Sequence, residues 1–226
     1  MTIKFFAIHD YTGIEALLYF LYARSMYMIQ IAASSRDIEA LFNAVIPDEV
    51  LTEGQLVKVF IEGVKDTPKG PKAMISRTHS GLVRRLFEQE VPEIYDGIVA
   101  IHSVSREAGV RTKMAVSSSD ENVDPIGACI GQRGVRVNKI VEELAGEKID
   151  IVKYSEDPVE FISEALSPAK VVSVEIQSAD PKVCVVRVPE SQLSLAIGNK
   201  GQNVRLAAKL TGWKIDIHPE SGFFGE

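Results

Sequence analysis

Cysteine is scarce: only Cys129 and Cys184 occur in 226 residues, far apart and with no CxxC pair or Cys/His cluster. A zinc site or a disulfide framework needs such clustering, so neither is expected, and two reduced, buried thiols in a cytosolic protein are. The histidines, His9, His79, His102 and His218, are scattered without metal-ligand spacing, which leaves no expected metal, cofactor or catalytic imidazole. An excess of positive charge is also missing. Lys and Arg number 25 against 31 Asp and Glu, a net charge of -6, so an indiscriminate coat for RNA or DNA is excluded and any nucleic-acid site must rest on a local basic patch. Long apolar runs are absent as well. Ile14 to Ala23 (IEALLYFLYA) is the most apolar stretch near the N-terminus, but Asp10, Glu15 and Arg24 leave it short of the ~20 residues that span a bilayer. Lys4 alone makes no basic n-region. The expectation is a cytoplasmic protein with no membrane partner. No G-x-x-x-x-G-K-[ST] sequence and no catalytic carboxylate cluster occurs, so the chain reads as non-enzymatic.

What is present is an ordinary globular composition, 46% hydrophobic and 25% charged, and an internal repeat. Residues 129 to 151 read CIGQRGVRVNKIVEELAGEKIDI and residues 196 to 217 read AIGNKGQNVRLAAKLTGWKIDI. The glycines, the following apolar positions and the closing K-I-D-I coincide when one extra residue is allowed in the helix of the first copy. Val137, Ile140, Val141 and Leu144 share one helical face, and Val204, Ala207 and Ala208 repeat the spacing with smaller side chains. Gly146 and Gly212 sit where helices end in a left-handed residue, and Ile149/Ile151 or Ile215/Ile217 follow with strand alternation. Upstream, Leu82, Val83, Leu86 and Phe87 mark one amphipathic helix and Phe161, Ile162, Ala165 and Leu166 another. Strand pairs follow both: Val110, Thr112, Met114 and Val116 alternate after a turn at Glu107 to Gly109, and Val172, Val174 and Ile176 meet Cys184, Val186 and Val188 across Ala179-Asp180-Pro181.

The fold class expected is therefore α+β, with two packed units ordered α-β-β-α-α-β at residues 79–155 and 156–226, the second ending in a short tail. Each is near the lower size limit for an independent core. Residues 37–78 differ, since Leu56, Lys58 and Phe60 alternate with Val57, Val59 and Ile61, and Ala73 to Ser76 form a second strand beyond the turn Thr67 to Pro71. This segment reads as a partial β-barrel. Residues 1–36 hold seven of the sixteen aromatic residues without clean alternation. They stay unassigned, and with no phosphate-binding or stacking pattern among them they are expected to be dispensable for any nucleic-acid binding.

Gly131-Gln132-Arg133-Gly134 and Gly198-Asn199-Lys200-Gly201 lie between a short helix and a longer one. Glycine lets the backbone approach a phosphate without a Cβ in the way, the next helix offers unpaired N–H groups, and Arg133 or Lys200 adds charge at the tip. A lone GxxG is weak evidence, since glycine turns entering helices are usually structural. Here Ile-Gly-x-x-Gly-x-x-Val occurs twice, at Ile130 to Val137 and Ile197 to Val204.

On these residues the chain resembles the KH family of bacterial topology. Over residues 55 to 219 the strings SRTHSGLVRRLFEQEVPEI, IGACIGQRGVRV, AGEKIDIV, LSPAKVVSV and LSLAIGNKGQNVRLAAKLTGWKIDI resemble the RNA-binding core of the NusA family of transcription termination/antitermination factors. The resemblance implies an OB-fold barrel, single-stranded RNA (the nascent transcript) running across both KH domains, RNA polymerase and other transcription factors as partners, and a monomer. It assigns RNA contact to Gly131, Gln132, Arg133, Gly134, Gly198, Asn199, Lys200 and Gly201, with Arg136, Gln202 and Arg205 beside them. In that family a polymerase-binding domain precedes the barrel; no counterpart is recognisable here. The alternative class is the RNA-binding module of a processing or degrading enzyme such as polynucleotide phosphorylase, which places KH before the barrel. Lys69, Lys72, Arg77, His79, Arg84 and Arg85 form a basic run that either extends the RNA track or makes a solvated face and interdomain ion pairs. Trp213 reads as core in preference to a base-stacking platform.

Overall fold

The computed structural model describes residues 26–30, 45–51, 56–67 and 70–220. Strands β1 (Met26–Gln30), β2 (Leu56–Thr67) and β3 (Gly70–Ser76) form an antiparallel sheet in the order β1-β2-β3. Val57, Val59 and Ile61 are its buried face, as the alternation predicts. Thr67 pairs with Gly70, which closes the hairpin at the expected turn. The sheet begins upstream of residue 37, however. Within the segment left unassigned, Met26–Gln30 supplies the partner of β2, so removing residues 1–36 would open one edge of that strand to solvent and to other chains. The rest of that segment lies outside the described residues.

Two units of related topology follow. The first runs α1 (Ser80–Glu90), a short α2 (Pro92–Tyr95), β4 (Val99–Glu107), β5 (Arg111–Ser118), α3 (Pro125–Ile130), α4 (Val135–Glu143) and β6 (Lys148–Lys153). The second runs α5 (Pro158–Ala165), β7 (Ser173–Ala179), β8 (Lys182–Val188), α6 (Glu190–Ile197), α7 (Gln202–Thr211) and β9 (Lys214–Pro219). In each sheet the first two strands are antiparallel and the third joins the second in parallel, across the helix pair. Local chemistry sets the helix starts. Asp124 and Asp157 cap α3 and α5 by accepting backbone N–H bonds, and Pro125 and Pro158 occupy the first helical position, where proline's missing N–H costs nothing.

Leu82, Val83, Leu86 and Phe87 of α1 pack with Met114, Val116, Cys129, Ile140 and Leu144 to form the first core. Phe161, Ile162, Ala165 and Leu166 of α5 pack with Cys184, Val186, Ala207, Leu210 and Trp213 to form the second, which also includes Ala115 and Val152 of the first unit. Trp213 is thus core. Three sequence expectations need correction. First, β5 does not alternate between core and solvent: Thr112, Lys113, Met114, Ala115 and Val116 are all buried, because α7 of the second unit packs on β4 and β5. Second, the buried face of α7 is Asn203, Leu206, Ala207 and Leu210, rotated from the expected Val204, Ala207 and Ala208 because this helix touches two domains. Leu206 and Leu210 each contribute roughly 1.5–3 kcal/mol by burial. Third, the extra residue of the first repeat lies in the cap turn. Ala145 (φ 56) and Gly146 (φ 87) are both left-handed there, whereas Gly212 (φ 75) alone caps α7.

Most of the basic run is structural. Arg77, 3% exposed, donates to Glu49, Glu143 and the Lys58 carbonyl, tying the β-sheet segment to the first unit. Arg84 donates to the carbonyls of Ile101 and His102, and Arg85 pairs with Glu88. His79 stacks on Phe60 and caps α1 through Nδ1. Arg77 and His79 thus fit the interdomain reading, whereas Arg84 and Arg85 are paired inside the first unit; Lys69 and the side chain of Lys72 lie outside the described residues. Lys113 crosses the domain boundary, donating to the Ser167 carbonyl at 2.6 Å with Asp150 at 3.2 Å. Burial pulls its ammonium below the usual lysine range, opposed by Asp150.

Cys129 and Cys184 are both free and buried. Burial raises the first thiol to about 12 and the second to about 11, so both stay protonated at neutral pH, where only a thiolate would be nucleophilic. A disulfide reagent at pH 7.5 is expected to titrate neither thiol in the native protein and both in denaturant; fast titration of either in the native state would contradict this packing.

Candidate nucleic-acid interface

Helix α3 ends at Gly131 (φ 72, ψ 171), and residues Gln132–Gly134 make one 3-10 turn before α4 begins. The second loop repeats this geometry, with Gly198 (φ 76, ψ 172) ending α6 and Asn199–Gly201 turning into α7. Each tip residue is left-handed, Arg133 at φ 54 and Lys200 at φ 50. The first glycine of each loop is required twice over. Its φ suits only glycine well, and a Cβ there would lie 2.7 Å from Arg136 Cγ in the first loop or 2.7 Å from the Asn203 backbone nitrogen in the second. Neither α4 nor α7 has a side-chain cap at its N-terminus. The amides of Val135 and Gln202 that open these helices donate to the Gln132 and Asn199 carbonyls, and those of Gly134 and Gly201 to Gly131 and Gly198, so an anion would meet the positive end of the helix dipole and the tip residue of each turn.

Gln132, Arg133, Asn199 and Lys200 are exposed. Ile130 and Val135 flank the first loop, and Leu195 and Ile197 lie just before the second, all of them large apolar side chains left facing solvent. Each loop therefore sets a glycine-lined turn at a helix N-terminus and one exposed cation beside apolar surface that a base could cover. Three of the predicted residues are also bonded within the protein. Arg136 donates to Glu93 at 2.8 Å and to the Ala128 carbonyl at 2.6 Å, bracing α3 under Gly131. Gln202 and Arg205 both donate to Glu107 of the first unit, at 2.8 and 2.6 Å. Sequence reasoning missed Glu93, Glu107 and Asn203. Asn203 donates to the carbonyls of Leu166 and Ala196 and occupies the repeat position of Arg136. That shared register could have revealed Asn203; nothing local marks Glu107, which lies more than 90 residues from its partners. Among the described residues, no group of three or more His, Cys, Asp or Glu could hold a metal ion.

Residues 77–154 match the model of the NusA-like first KH domain, and residues 158–223 match that of the NusA-like second KH domain. The chain belongs to the NusA-like KH family. It is 58% identical over 176 residues to the transcription termination/antitermination protein NusA of Halalkalibacterium halodurans, covering 78% of this chain and 46% of that protein. The NusA of Bacillus subtilis is 57% identical over 186 residues, 81% of this chain and 50% of its own length. That of Thermus thermophilus is 51% identical over 175 residues, 77% and 44% respectively. The chain thus spans about half the length of these curated relatives. In the NusA-like frame the two units described above are the first and second KH domains, and the duplicated loops are their Gly-x-x-Gly segments. No described helix is long and apolar enough to cross a membrane.

Proposed function

We propose that this chain binds single-stranded RNA across both KH domains and thereby acts on transcription elongation, pausing, termination and antitermination, with the nascent transcript and RNA polymerase as partners. One observation carries the RNA reading. The two loops, far apart in sequence, share backbone dihedrals to within about ten degrees at every glycine and tip residue, and each exposes a cation at the same position. A tip cation on a glycine turn at a helix N-terminus attracts phosphate without regard to sequence, while the apolar side chains beside it take unstacked bases. Arg133 and Lys200 supply the charge, Gly131, Gly134, Gly198 and Gly201 the close approach, and Gln132 and Asn199 the exposed flank of each turn. Arg136, Gln202 and Arg205 hold the loops in place. The transcriptional role follows from what the relatives are named, and no enzymatic chemistry is part of it.

Titration with short single-stranded RNAs, the matching DNAs and duplexes tests this. Binding is expected to favour single-stranded RNA and to weaken as salt rises, because clamping phosphate releases counterions whereas a duplex keeps its bases stacked and out of reach. Equal affinity for duplex and single strand would refute the reading.

A further inference from the structure

Glu107 ends strand β4 of the first KH domain, yet its carboxylate serves the second. One oxygen accepts from Arg205 Nε at 2.6 Å and the other from Gln202 Nε2 at 2.8 Å, both on the first turns of α7. Arg205 then donates through Nη1 to the carbonyl of Lys200 at 3.0 Å. A continuous chain of hydrogen bonds therefore runs from the first domain to the tip residue of the second loop. The hydrogen bond from Arg205 is the largest influence holding the Glu107 carboxyl below its ordinary range, against a smaller opposing effect of burial. At neutral pH the group is charged.

A carboxylate beside an RNA site repels the ligand, so Glu107 opposes binding if charge alone is counted. What it orders acts the other way. A guanidinium has five N–H donors in a fixed plane. The bonds to Glu107 and to Lys200 engage two of them, and the Arg205 side chain remains 46% exposed. Held by two bonds from its guanidinium, Arg205 presents its remaining donors next to the loop at no further rotamer cost, and it engages the Lys200 carbonyl. The first loop is braced differently, by Arg136 on Glu93 and the Ala128 carbonyl inside its own domain. Only the second loop's brace crosses between the KH domains.

We propose that Glu107 is a positioning residue of the second RNA clamp: through Arg205 it orders the Lys200 tip, so that an acidic residue of one KH domain strengthens RNA binding by the other. The inference rests on the RNA-binding reading above. Ordering one long side chain in advance is worth about a two- to tenfold change in affinity. Glu107→Ala is therefore expected to weaken binding of single-stranded RNA by that factor, although it removes a negative charge, and Glu107→Gln, which keeps one acceptor oxygen, by less. In an Arg205→Ala background the same Glu107→Ala change should cost nothing further, since the relay is already cut. A second measurement needs no RNA: amide hydrogen exchange at Lys200 and Gly201 should speed up in Glu107→Ala while the α1 amides keep their parental rates. Melting profiles accompany each variant, and Glu107→Gln carries the comparison should the alanine variant fail to fold. If the parent protein binds no single-stranded RNA, the RNA reading falls and this proposal with it. If the parent binds and the Glu107 variants bind equally or more tightly, or lose as much in the Arg205→Ala background, only the positioning role is overturned.

Discussion

Replacement of Gln132-Arg133 and Asn199-Lys200 together by Asp-Asp is expected to abolish binding of single-stranded RNA and leave the melting profile unchanged. All four side chains are exposed, and such positions change stability by about 0.5 kcal/mol or less. The left-handed tips strengthen that expectation. Arg133 and Lys200 sit at φ 54 and φ 50, a region in which Asp is better tolerated than most side chains, and all four glycines are retained. Function responds differently, because two carboxylates at each turn oppose the phosphate that the tip cation and the helix dipole would attract. Each single-loop variant should lose far more than half the affinity, since a tethered second site multiplies binding through effective concentration. A double variant that melts as the parent does and binds within about twofold, a difference of ~0.4 kcal/mol, would remove both loops from the interface.

Glu147→Ala is expected to produce the largest loss of stability among single substitutions in the first KH domain. Glu147 is fully buried and Arg106 nearly so. Its two oxygens accept from Arg106 Nε and Nη2, from the Gly109 backbone N–H at 2.8 Å and from the Thr112 hydroxyl. Arg106 also donates to the carbonyls of Arg77 and His79, so one side-chain pair pins the start of α1, the β4–β5 turn and the cap after α4. Removing the carboxylate leaves a buried guanidinium without its counter-charge, which costs about 3–5 kcal/mol. In a chain of this size that is a fall in melting temperature on the order of 10 °C. Differential scanning calorimetry reads it directly. A shift of less than about 3 °C, roughly 1 kcal/mol on the same scale, would show that water replaces the lost carboxylate and that the network is not a keystone.

The same position of the repeat holds Glu147 in one copy and Trp213 in the other, each directly after the left-handed glycine and both buried. Their alignment was legible from the strings alone; that a carboxylate would be as deeply buried as an indole was not. Burying Glu147 requires Arg106, and the two are 41 residues apart in sequence, a pairing that no local pattern announces. The basic run stayed open between two readings for a related reason, because the partners of Arg77, Arg84 and His79, namely Glu49, the Ile101 carbonyl and Phe60, lie on other elements.

Local rules, by contrast, carried far. Glycines placed the loop ends and the left-handed caps, and apolar spacing placed the cores of α1, α4 and α5. These signals depend only on backbone sterics and on hydrogen bonds within a few residues, so the chain by itself determines two α-β-β-α-α-β units and a pair of phosphate-sized loops. Tertiary structure decided what docks on what. It buried both faces of β5, turned α7 toward Leu206, gave β2 a partner at Met26–Gln30 and bound Gln202 and Arg205 to Glu107. Each of these outcomes rests on groups brought together by folding across tens of residues, where the desolvation cost of one polar side chain is met by another that sequence spacing cannot identify.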